Sequence, residues 1–165
     1  MALRTVRTDG DPVLGKKCKE VKSMTPRLKT LVEDMMETMY EENGVGLAAP
    51  QVGVLRRIVV IDCSSEEQPD DGPFVLINPV IVAREGEQTG DEGCLSVPGK
   101  VGTVTRPQKV VCEAFNEEMQ PIRIEAENLL ARAICHELDH LDGHLYTELV
   151  EGELRDAQYT EEEPS

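Results

Sequence analysis

The sequence predicts an α+β domain, with mixed, mainly antiparallel sheets packed around a central helix that carries His136-Glu137-x-x-His140, and with a further helix near the N-terminus. Three observations lead there. A stripe of Leu28, Leu31, Val32, Met35, Met36 and Met39 recurs at helical spacing. A middle region holds short β-branched runs separated by turn residues. A second stripe, Ile134, Leu138 and Leu141, then marks a buried helix. Helix, several strands, then helix fits an α+β arrangement better than alternating βαβ units.

Residues 1–24 mix charge with turn residues, and Val13, Leu14 and Val21 are their expected docking points. Thr25 is placed to cap a helix with Pro26 at its first position, and Asn43-Gly44 closes it. The following stretch, Gly44 to Gly53, is small and uncharged, so backbone can approach another group closely. It lacks the lysine of a phosphate-binding loop and follows a helix rather than a strand.

Arg57 to Asp62 is expected to be a buried strand. Ser64 to Gly72 is a polar surface loop. Phe74–Ile77 and Val80–Val82 flank Asn78-Pro79, giving two strands or one bent strand. Thr89 to Gly99 is expected to be a glycine-punctuated loop. Val101 to Phe115 is strand-like with a break at Arg106-Pro107, Asn116-Glu117-Glu118 a turn, and Gln120 to Ala126 a half-exposed strand. Glu127 to Leu141 is the histidine helix, ended by Asp142-Gly143. Leu145 to Val150 adds a last short segment. These elements fit a single domain over 1–150. Residues 151–165 are read as an acidic C-terminal tail whose end is expected to be disordered.

The chain has 165 residues, room for one domain with a real core. With no Trp, two Phe and three Tyr, that core must be aliphatic. A formal charge of −15 argues against direct nucleic-acid binding and against an anionic membrane. No apolar window is long enough for a membrane span, and the N-terminus has no signal-peptide pattern, so a cytoplasmic location is expected. The five cysteines, an odd number without repeating spacing, read as reduced thiols. Cys63, Cys112 and Cys135 are expected in the core, and Cys18 exposed or half-buried.

Two of the three histidines are His136 and His140, which share one helical face and can meet one metal ion. Glu137 lies beside them, where a base for water is needed. A catalytic site of this kind wants a third protein ligand. Six residues beyond His140 stands Tyr146, with His144 two residues early, so one protease spacing fails. A glutamate twenty-odd residues downstream would fall in the acidic C-terminal end, so the other fails too. Cys94, between Gly93 and Leu95, is the best remaining candidate, since a coordinating thiol loses its proton to the ion. A zinc-dependent peptidase with an unusual third ligand is the alternative.

Three blocks, Gly44-x-Gly46-Leu47-Ala48-Ala49-x-Gln51, Glu92-Gly93-Cys94-Leu95-Ser96 and His136-Glu137-x-Asp139-His140, resemble the peptide deformylases in order and separation. The resemblance runs from the first helix to about residue 150. It implies Cys94, His136 and His140 as ligands of one divalent ion, natively Fe²⁺ and often Zn²⁺, Ni²⁺ or Co²⁺ in preparations. It implies Glu137, the Gln51 amide and the Leu95 N–H as the catalytic groups, with Gly46 and Gly93 against the substrate backbone and Val45 lining a methionine pocket. The substrates would be nascent N-formylmethionyl peptides, met at the ribosome by a monomer. Asp139 and Arg106 are candidate partners of the imidazoles, and Arg132 either passes the pocket wall or pairs with a substrate carboxyl.

Overall fold

The computed structural model describes residues 2–157. Thr25 caps the first helix, α1 (Pro26–Glu41), its hydroxyl accepting from the Leu28 N–H at 3.2 Å. Asn43, at φ 59°, turns the chain out of it. β1 (Gly46–Ala48) and a 3-10 turn over Ala49–Val52 follow, then β2 (Ile58–Ile61), β3 (Phe74–Glu85), β4 (Gln88–Cys94), β5 (Val97–Arg106), β6 (Lys109–Phe115) and β7 (Pro121–Glu127). The second helix, α2 (Asn128–Leu141), starts directly from β7, and β8 (Glu151–Asp156) ends the described chain.

Five strands form one antiparallel sheet in the order β1-β2-β3-β6-β7, and three form a second in the order β4-β5-β8. Among the described residues, parallel pairing is limited to an isolated bridge between Lys19 and Arg56. β2 explains the layering. Its Ile58 and Val60 pack with Leu31, Val32, Met35 and Met39 of α1. Its Val59 and Ile61 pack with Leu130, Ala131, Ile134 and Leu141 of α2. A strand covered on both faces needs no polar alternation, hence the unbroken Ile-Val-Val-Ile. Each of these buried Leu, Ile, Val and Met side chains stabilises the fold by roughly 1.5–3 kcal/mol.

Phe74 to Glu85 is one strand with a register shift between Ile77 and Val80. Asn78 sits there at φ 52°, and its side chain accepts from the Val21 N–H and donates to the Val21 carbonyl, docking the N-terminal arm. Gly143 at φ 84° ends α2 so close to the Gly15 carbonyl that a β-carbon would lie 2.6 Å from it.

Two segments differ from the sequence reading. Thr89 to Gly99 is not a loop but the β4–β5 hairpin, turned at Leu95-Ser96 with Cys94 opposite Val97. Residues 151–156, read as the start of the tail, form β8 on the edge of β5, with Val101 opposite Arg155 and Lys100 paired to Asp156 at 2.7 Å. All six β8 residues are exposed, so ladder bonds and ion pairs hold it rather than an apolar face. The expected disorder concerns the tail's end, 158–165, which lies outside the described residues. No helix among the described residues is long and apolar enough to cross a membrane.

Candidate metal centre

α2 lies across the inner face of the large sheet with ten of its residues buried, which fixes both histidine backbones. The rings of His136 and His140 stand edge to face, centroids 5.0 Å apart. Cys94, from the last residue of β4, brings Sγ to 3.4 Å from His140 Nε2. One donor atom from each of Cys94, His136 and His140 lies within 4.8 Å of the other two. A thiolate and an imidazole on one tetrahedral zinc-like ion stand about 3.5 Å apart, so the spacing fits such an ion. Thiolate and imidazole are also the donors that suit divalent iron and zinc.

Glu137 is buried beside this group, with Oε2 4.0 Å from His136 Nε2 and Oε1 buried without a hydrogen-bond partner. Burial pushes its carboxyl up to about 7, the range of a group that both takes and returns a proton. Burial lowers the proton affinity of His140 well below the usual imidazole value, keeping its ring in the lone-pair-donating form.

The sequence reading missed how Glu92 organises the site. Oε1 accepts from His136 Nδ1 at 2.8 Å and Arg106 Nη2 at 2.7 Å. Oε2 accepts from Arg106 Nε at 3.0 Å and Arg132 Nη1 at 2.7 Å. Burial disfavours this carboxylate, but the His136 and Arg106 hydrogen bonds prevail and hold it well below the usual range. With Nδ1 committed to Glu92, the Nε2 edge of His136 is left for the donor cluster. Burial likewise opposes a charge on His136, yet Cys94 and Glu92 raise it to about 10.

Arg132 lines the cleft, with its guanidinium engaged inside the protein. Its guanidinium is tied back to Glu92 and, at 3.2 Å, to the Val104 carbonyl. Arg106 does serve the imidazole through Glu92. Asp139 touches no imidazole among the described contacts and instead accepts from Arg106 Nη1 at 2.8 Å. Cys18 is buried rather than exposed, and Cys63, Cys112 and Cys135 are buried as expected. His144 is exposed, 3.1 Å from Glu148.

Gln51 is held by its own turn. Its Oε1 accepts from the Ala48 N–H at 2.9 Å, which forces Nε2 towards Ser96 Oγ at 3.0 Å and Cys94 Sγ at 3.5 Å. Val45, Gly46, Gly93 and Leu95 line a cleft of about 460 Å³ that also reaches Cys94, His136 and Glu137. The edges of both sheets, β1 and β4, border it.

Two imidazoles and a thiol converging beside a buried carboxylate define a site of the metal-dependent hydrolase class. The chain belongs to the polypeptide deformylase family, whose profile matches residues 3–155. It is 64% identical over 159 residues to the peptide deformylase of Agathobacter rectalis, covering 96% of this chain and 97% of that one. It is 56% identical over 164 residues to the peptide deformylase of Lachnoclostridium phytofermentans, covering 99% of each. The peptide deformylase of Synechococcus elongatus, solved with actinonin, superposes with a TM-score of 0.82 at 40% identity over 89% of this chain and 78% of that chain. That of Thermotoga maritima gives 0.84 at 36% identity over 91% and 99%.

Proposed function

We propose that this chain hydrolyses the N-formyl group from the formyl-methionine start of nascent polypeptides, releasing formate and a free amine, with Cys94, His136 and His140 holding one divalent ion. The observation that carries the site is the convergence of those donors within 4.8 Å beside Glu137, whose buried Oε1 has no partner. When bound there, such an ion would supply Lewis acidity. Fe²⁺ is its proposed native identity, with Zn²⁺, Ni²⁺ or Co²⁺ able to replace it, in keeping with the thiolate and imidazole donors.

Glu137 removes one proton from the attacking water and delivers it to the leaving nitrogen. The C–O bond forms as the C–N bond of the formamide breaks, so water and formamide balance against formate and amine. The Gln51 amide and the Leu95 N–H stabilise the negative charge on the formyl oxygen. Gln51 suits this because its turn fixes which end of the amide faces the cleft. Gly46 and Gly93 lie along the cleft and give an extended peptide two strand edges to pair with, while Val45 contacts the methionine side chain. The enzyme acts as a cytoplasmic monomer on chains emerging from the ribosome.

Formate release from formyl-Met-Ala-Ser, measured anaerobically with Fe²⁺, tests this. Loss of the general base in Glu137→Ala should lower kcat by about 10²–10⁴-fold. Equal formate release by that variant, or cleavage at the internal peptide bonds, would overturn it.

A further inference from the structure

A second groove, of about 780 Å³, shares no lining residue with the metal cleft. It exists because α1 packs over β1 and β2 and leaves the start of β3 and the turn after β6 uncovered on that side. Met36, Phe74, Val75 and Ile122 give it an apolar floor. Its rim is of one sign: Glu33, Glu37 and Glu41 from α1 face Glu117 and Glu118 from the turn, with no Lys or Arg in the lining. None of the five forms a salt bridge among the described residues, and Glu37 Oε1 is buried without a hydrogen-bond partner.

A rim of one sign around an apolar floor, with one buried carboxylate oxygen left without a partner, is complementary to a cationic, partly apolar occupant. The same charge excludes nucleic acid and an anionic bilayer, and a second copy with a net charge of −15 would be repelled. We propose that this groove docks a basic amphipathic segment of another protein, apolar side chains on the Met36–Phe74–Ile122 floor and Lys or Arg on the glutamate rim. The segment has the character of an amphipathic helix laid in a hydrophobic groove. The site is independent of the catalytic reading.

The test uses the full metal-loaded chain and fluorescence anisotropy at 150 mM salt, where diffuse attraction beyond about 8 Å is screened. The probe is a fluorescein-labelled Leu/Lys peptide with leucines at helical spacing, compared with a Ser/Lys peptide of equal length and charge. The Leu/Lys peptide is expected to bind well above the Ser/Lys peptide. The triple variant Glu33→Gln, Glu37→Gln, Glu117→Gln should weaken it about tenfold, the effect of a few ion pairs of a fraction of a kcal/mol each. The charge-matched triple Glu85→Gln, Glu87→Gln, Glu153→Gln, exposed residues that neither line the groove nor form a salt bridge among the described residues, should bind as wild type. Unchanged formate release and melting temperature confirm that both triples are folded. Equal losses in the two triples, equal binding of both peptides, or no binding of either would overturn the proposal. So would concentration-dependent dimerisation that the groove triple abolishes, because the occupant would then be a second copy.

Discussion

Gly46 and Glu137 occupy space that leaves no room for one more carbon: a β-carbon on residue 46 would lie 2.7 Å from Glu137 Oε2 and 2.9 Å from its Cγ. The glycine that borders the cleft is therefore also what lets the carboxylate lie where it does. Gly46→Ala should keep the fold and displace Glu137, lowering kcat by about 10²-fold, the order expected when a catalytic group moves by about 1 Å. Steady-state formate release beside a thermal melt checks this; wild-type kcat would show that the carboxylate has no need of its place.

Glu92 holds two guanidinium groups and one imidazole. Glu92→Gln removes the charge that Arg106 and Arg132 share, leaving Arg132 buried without a carboxylate among the described residues while Arg106 keeps Asp139, and should destabilise the protein by about 3–5 kcal/mol. Arg132→Met should cost less, since Arg106 still satisfies the carboxylate. Metal affinity, measured by chelator competition, should fall by about 10–100-fold in Glu92→Gln as His136 loses its orientation. Denaturant titration of both variants checks the ranking.

Metal removal should be readable in the thiols. Burial pushes Cys18, Cys112 and Cys135 up to about 11 and Cys63 to about 12, so all four react slowly with iodoacetamide near pH 8. Cys94 alone is only partly buried. Chelator-treated protein should label quickly at one thiol, identified as Cys94 by peptide mass, and added divalent metal should protect it. Fast labelling of the loaded protein at Cys94 would contradict its role as a ligand.

The N-terminal arm gives a pH dependence remote from the metal. Burial would raise the Asp34 carboxyl, but the Ala2 N–H at 2.8 Å and Arg4 at 2.9 Å outweigh it, so the group lies below its ordinary 3.8. A depressed carboxylate contributes stability above its unfolded value and loses it as pH falls through the folded one. Asp34→Asn should therefore cost about 1 kcal/mol at pH 7, and the gap to wild type should close below about pH 4. Chemical denaturation across that range checks the sign.

Both helices were legible because Thr25-Pro26, Asn43-Gly44 and Asp142-Gly143 punctuate clear apolar stripes. The convergence of Cys94, His136 and His140 was legible because these residue types are scarce and chemically specific. β1, β4 and β8 were not. Glycines in β1 and β4 remove the side-chain alternation that marks a strand, and β8 buries nothing. Their pairing is written in backbone hydrogen bonds, which leave no compositional trace. Glu92 stood in plain view, but an acidic residue in a polar segment looks solvated until two arginines and a histidine from distant segments arrive around it. Arg132 was ambiguous for the same reason.

The thiol donor hangs from the three-stranded sheet, while both imidazole donors ride on the helix laid against the five-stranded one. An ion held by all three, as proposed above, would be a rivet through two plates. Its extraction should first loosen the seam between them, so hydrogen exchange in chelated protein should quicken along β4 and the facing turn of α2 while β2 and β3 stay protected.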